Sequence, residues 1–155
     1  MLLGWSPLQN SEDPSQPVAY LFDDVVFKKV GNVHVEERRA ISPELLMGNI
    51  AVFSRAVQAL RFKMKYRVAT LSFHADDIDV NAFNSGDITL RLNIAAATEL
   101  FLEMAFAGIP PKHRPPVLVG THTHTGRLEV NIAMPRYVLT SGGAVRSYNP
   151  HPVTR

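Results

Sequence analysis

The chain has no cysteine, which rules out disulfides and thiolate metal centres. It is also poor in charge: 19% of residues are Asp, Glu, Lys or Arg, against 46% hydrophobic. That balance excludes an intrinsically disordered chain, which carries few apolar residues and a high net charge. No apolar run approaches the ~18 residues that a membrane-crossing helix needs. The opening "MLLGWSPLQNSEDPSQP" lacks the basic start and long apolar stretch of a secretory leader. The expectation is a cytoplasmic protein with no membrane partner.

What is present is enough for one domain with a sizeable core: 155 residues with a net charge of +2. The charge is uneven. Residues 1–50 hold four Lys/Arg against seven Asp/Glu, a balance of −3, whereas residues 101–155 hold six against two, a balance of +4. Between them, "RFKMKYR" alternates Arg61, Lys63, Lys65 and Arg67 with Phe62, Met64 and Tyr66. Basic side chains interleaved with aromatics can follow a phosphate backbone and stack bases. The same stretch also reads as a solvated helix end running into a strand.

Residues 1–16, rich in Ser, Pro, Asn and acid, read as a flexible N-terminal arm, with one domain over 17–155. "VVFKKVGNVHVEE" alternates around Gly31-Asn32 as a hairpin does. "MGNIAVFSRAVQALRF" predicts a helix capped by Asn49, with Phe53, Ala56, Val57, Leu60 and Met64 on one stripe. "YRVATLSFH" is strand-like. The longest helical pattern starts at Asp87, places Ile94, Ala97, Phe101 and Met104 on one face, and ends at Gly108 and Pro110. Strands follow in "PPVLVGTHT" and "RLEVNIAM", and a second hairpin turns at Gly142-Gly143. This order predicts an α+β fold, with helices packed on a largely antiparallel central sheet.

The segment "THTHTGRLEVNIAMP" carries the chemistry. A tight turn at Thr125-Gly126 would set His122 opposite Glu129 across two strands, with Asn131 two residues on along the same face. Leu128, Val130, Ile132 and Met134 would then face the core. An imidazole, a carboxylate and an amide oxygen converging on one point suit a divalent cation, and two oxygen donors favour Mg²⁺ or Mn²⁺. The plain alternative is a solvated polar face with a surface Glu–Arg pair. A cation near basic residues fits phosphate chemistry. With no cysteine and no serine in a recognisable elbow, the nucleophile is a tyrosine or a metal-bound water. Tyr20, just after the Ser/Pro-rich arm, is the candidate with an accessible hydroxyl; the alternative is a structural tyrosine at a helix start.

Three stretches, in this order, resemble the plasmid mobilisation relaxases, in the MobA/MobL-like branch with a His-Glu-Asn metal motif. They are "PVAYLF", "LLMGN" with "KYRVATLSF", and "HTHTGRLEVNIAMP" with its His-x6-Glu-x-Asn spacing. The resemblance spans roughly residues 17–150. It implies a HUH-endonuclease palm, an antiparallel sheet with helices on one side. It implies Tyr20 as the nucleophile, and His122, Glu129 and Asn131 as ligands of Mg²⁺ or Mn²⁺. His124 becomes a possible assistant, and Arg61, Lys63, Lys65, Arg67 and Arg127 become phosphate contacts. The implied activity is strand-specific nicking of DNA at an origin of transfer through a 5′-phosphotyrosyl adduct. The implied partners are single-stranded or hairpin DNA and accessory mobilisation proteins. A truncated, non-catalytic relaxase-derived DNA-binding module remains the alternative.

Overall fold

Side chains that alternate across a strand decide how this molecule is layered. The computed structural model describes residues 1–6 and 13–150. In chain order the elements are β1 (Leu2–Trp5), α1 (Ser15–Phe22), β2 (Val25–Val30), β3 (Val33–Arg38) and β4 (Glu44–Met47). Next come α2 (Ile50–Ala59), β5 (Tyr66–Ser72), α3 (Val80–Asn84) and α4 (Ile88–Ala105). A 3₁₀ turn at Pro111–His113 leads to β6 (Leu118–His122), β7 (Glu129–Pro135), β8 (Tyr137–Leu139) and β9 (Val145–Ser147). Five strands form one antiparallel sheet in the order β1-β5-β7-β6-β4. The pairs β2–β3 and β8–β9 are separate hairpins, turning where Gly31 and Gly143 were expected to turn them.

The central strands are apolar on both sides, so both faces of the sheet need cover. On one face Ala69, Leu71, Val119, Val130, Ile132 and Met134 cluster with Phe83 of α3 and Ile94, Phe101 and Ala105 of α4. On the other, Tyr66, Val68, Leu118 and Ala133 cluster with Leu21 of α1 and Phe53 and Val57 of α2. The α+β fold with an antiparallel sheet is therefore as expected, but the helices lie on both faces rather than one. The second face changes character along its length. Near the β6–β7 turn its residues become Thr70, Asn131, His122 and Glu129, and this polar end is the site described below.

Several boundaries differ from the sequence reading. Part of the expected 1–16 arm is sheet: Leu2–Trp5 pairs with β5, and the Trp5 ring lies 5.8 Å from Phe101. The arm's last residues begin α1, and residues 7–12 fall outside the described part. Helix α2 starts at its expected cap but ends early: Leu60 is extended, at φ −72° and ψ 137°, so Met64 lies beyond the helix rather than on its stripe. Asn49 accepts a hydrogen bond from Val52 N, and Gly48 before it has φ +96°, where a Cβ would collide with the Val117 carbonyl. In α4 the core row is Ile94, Thr98, Phe101 and Ala105; Met104, placed with it from the sequence, points outward and is 47% exposed. Residue 104 sits about 60° around the helix from Phe101, far enough to leave the sheet-facing side. The Asp87 cap and the Gly108 stop are as expected, with Leu90 N donating to Asp87 and Gly108 at φ +78°.

Candidate functional site

The β6–β7 connection closes with a bond from Gly126 N to Thr123 O of 3.1 Å, and His122 pairs directly with Glu129. The register inferred from "THTHTGRLEVN" is therefore the one found. Leu128, Val130, Ile132 and Met134 are all fully buried, also as inferred. Asn131 lies across from Gly120 on one side and Thr70 on the other.

His122 is 2% exposed and Asn131 0%. The His122 Nε2 lies 3.0 Å from the Leu21 carbonyl oxygen, and its Nδ1 lies 3.2 Å from Asn131 Nδ2. A carbonyl can only accept and an amide nitrogen only donate, so the imidazole is neutral with its proton on Nε2. Burial pushes the His122 pKa down to about 4, helped by Arg39 and His124 and opposed by the Leu21 carbonyl and Glu129. Thr70 Oγ1 donates to Asn131 Oδ1 at 2.7 Å, completing a chain from β5 through β7 and β6 to α1.

Helix α1 brings in Tyr20. Its ring meets the His122 ring edge-on, with centroids 5.5 Å apart. The side chain is half exposed, yet partial burial raises the hydroxyl's pKa, and the Glu129 carboxylate raises it further. Arg39 opposes both effects. Its guanidinium is buried, sits 5.9 Å from the Tyr20 ring, and donates to the Tyr20 and Asp23 carbonyls at 2.7 and 2.8 Å. Those carbonyls end α1 and would otherwise lack partners, so Arg39 caps the helix with a cation where its dipole is negative. The helix can lie this close to the sheet because Gly120 has no side chain: a Cβ there would stand 2.7 Å from the Phe22 ring.

Glu129 is half-buried and paired with exposed Arg127, Nη2 to Oε1 2.9 Å. The His124 ring is 5.7 Å from His122, and its buried Nδ1 has no hydrogen-bond partner. Tyr20, Arg39, His122, His124 and Glu129 share the wall of a hollow of about 780 Å³. A second hollow of about 900 Å³ lies on the other side of Tyr20, walled by Tyr66, Thr70, Phe27 and His34. Tyr20 thus stands on the ridge between two depressions.

The basic stretch is not part of this cluster. Tyr66 pairs with Pro135 and Ser72 with Glu129, so residues 61–67 sit at the opposite end of β5, about 20 Å along the strand. Arg61 and Lys63 are exposed, Lys65 is half-buried, and Arg67 stacks on Trp5 at 5.1 Å and bonds Asn149. Among the described residues, no three His, Asp or Glu side chains gather as a metal-binding group. The candidate donor set is one imidazole, one carboxylate and one amide. Four contributors had no place in the sequence reading, one of them Thr70, which comes from a different strand. Arg39 and the Leu21 carbonyl act through the backbone of α1, which no residue pattern announces. Gly120 did carry a signal, since a glycine inside an apolar strand marks a close approach. Compared with known proteins, the chain finds no counterpart: no family model, no curated protein and no solved structure matches it.

Proposed function

We propose that this protein is a metal-dependent DNA strand transferase of the mobilisation-relaxase kind, nicking one strand at a plasmid origin of transfer. The observation that carries the reading is the meeting of Tyr20 with His122 and Glu129 in one hollow, with Asn131 buried behind them against the His122 ring, although Tyr20 is a hundred residues from His122 in sequence. In the reaction, Tyr20 Oη attacks the scissile phosphorus and the bond to the 3′ oxygen breaks. The 5′ phosphate stays on the tyrosine, the phenolic proton passes to a base, and the departing oxygen takes up a proton. His124, in the same wall, is the candidate acceptor of the phenolic proton.

The donor chemistry supports a divalent cation, Mg²⁺ or Mn²⁺. An imidazole that ligates a metal commonly gives its other N–H to a backbone carbonyl, as His122 does to Leu21. That leaves Nδ1 as the ligating atom. Asn131 would present its oxygen there after half a turn of its amide, with Nδ2 then donating to Thr70 Oγ1. When bound, the cation would polarise a phosphoryl oxygen and offset transition-state charge. Arg127, Arg61, Lys63, Lys65 and Arg67 are the proposed phosphate contacts, the last four along the strand from the nick. The setting is cytoplasmic, with single-stranded or hairpin DNA and accessory mobilisation proteins as partners. No helix among the described residues is long and apolar enough to cross a membrane.

One observation favours a second reading, a non-catalytic DNA-binding module: both ring nitrogens of His122 are already satisfied, so the network holds without a cation. Cleavage of a single-stranded origin oligonucleotide, with and without Mn²⁺ and with protease treatment of the products, separates the two. The nicking reading expects a protease-sensitive DNA adduct that disappears in Tyr20→Phe and falls at least a hundredfold in Glu129→Ala. Tight binding in chelator, with no adduct under any condition, would establish the module instead.

A further inference from the structure

The second hollow beside Tyr20 has a chemistry of its own. Its volume of about 900 Å³ lies within the ~300–1,000 Å³ range of small-molecule sites. Among the described residues, its wall holds no Asp, Glu, Lys or Arg. The hollow across the Tyr20 ridge holds Asp23, Glu37, Arg39 and Glu129. A wall without charge offers no partner to a buried ion, so it selects a neutral group. Two aromatic rings in that wall stand in water: Phe27 is 72% exposed and Tyr20 52%. Tyr66, which is buried, adds a third ring.

Gly4 is a separate observation. It sits within β1 directly opposite Thr70, on the same face of the sheet, and both residues line this hollow. Glycine weakens a strand, and it is expected where φ is positive or where another group comes close. Gly4 is not among the glycines at positive φ. Apart from its chain neighbours, a Cβ built on it would meet one atom within 4 Å, the Thr70 carbonyl oxygen at 4.0 Å. No part of the described protein crowds the position, so the missing side chain leaves space in the hollow itself.

We propose that this hollow binds a nucleobase, with the face of the base against the Tyr20 and Phe27 rings. A base is neutral, planar and able to stack on aromatic side chains, and its edge carries hydrogen-bond donors and acceptors. Gln16 lines the same wall, and its amide has both kinds of group. The base can come from a free nucleoside or from a single strand. Neither a cation nor cleavage enters the argument, so it stands apart from the nicking reading.

The test uses the full chain in chelator, titrated by calorimetry with adenosine, with thymidine, with a short oligothymidylate and with an abasic strand of equal length. Gly4→Leu fills this hollow and leaves the charged one alone. Nucleoside binding at millimolar concentrations, weakened about tenfold or more in Gly4→Leu and in Phe27→Ala but kept in Phe27→Trp, assigns the site to free nucleosides. Should nucleosides fail to bind, oligothymidylate weakened to the same degree in Gly4→Leu, with the abasic strand held equally by both proteins, assigns it to a base within a strand. Circular dichroism and urea midpoints check that Gly4→Leu folds; if it does not, Phe27→Ala decides, since that ring lies in solvent. Binding that neither variant weakens overturns the proposal, as does an abasic strand that loses as much affinity as the oligothymidylate. So does the absence of any binding. Toluene held as tightly as the nucleosides, with the same dependence on Gly4, overturns it in favour of a plain apolar ring.

Discussion

The neutral state of His122 has a measurable consequence at the scale of one residue. Its folded pKa, pushed to about 4 by burial, lies below the 6.5 expected of an exposed histidine. The unfolded chain therefore takes up this proton first as pH falls, and stability drops through the window from about 6.5 to 4. The loss from this group is roughly 3 kcal/mol at most. Urea midpoints across that range should fall more steeply for the native chain than for His122→Gln; parallel curves would show that His122 titrates freely. The residue scale is also where the sequence was most legible. His122, Glu129 and Asn131 came together because a strand's period of two and a short turn fix their geometry locally. Thr70, from another strand, could not be added on the same logic.

Among the elements, α1 has the weakest intrinsic support and the most to hold. It spans eight residues, has no side-chain cap at its start, and no charged residue in its first or last turn. Leu21 and Pro17 bury its inner side, and Arg39 satisfies its final carbonyls. Arg39→Met should cost about 2–4 kcal/mol, because it removes two charged-group hydrogen bonds and leaves part-buried acceptors unmet. Arg39→Lys, with one compact ammonium in place of a fork, should recover only part of it. Chemical denaturation checks both, and a loss under 1 kcal/mol would show that α1 is held by its apolar side alone. The apolar run "VAYLF" could not be told from a strand by periodicity, being too short to separate the two. Helices α2 and α4 were legible because Asn49 and Asp87 are local cap signals followed by a full stripe.

For the molecule as a whole, the central sheet is assembled from distant segments. Trp5 pairs with Ala69, and Met47 with Val119. Pairings of this range leave no local trace, which is why the sequence reads β1 as part of an arm. The distribution of charge is a second whole-molecule property. The exposed Arg61 and Lys63 lie at the far end of β5 from His122 and Glu129, so under the proposed function they would act on a single strand by electrostatic attraction along its backbone. Arg61→Gln with Lys63→Gln should lower affinity for any single-stranded oligonucleotide and reduce the slope of log K against log salt by about 1.4. An unchanged slope would remove this end of the sheet from the DNA path.

The hydrogen bond from His122 to the Leu21 carbonyl joins a sheet residue to the peptide unit beside Tyr20. Two occupants, one at the imidazole and one on the tyrosine side of α1, would therefore share a thermodynamic account. Each must alter the other's affinity by the same factor. Under the proposed function, a strand held over Tyr20 that steadied the helix would tighten whatever rested on His122, and removing either would loosen the other to an equal degree.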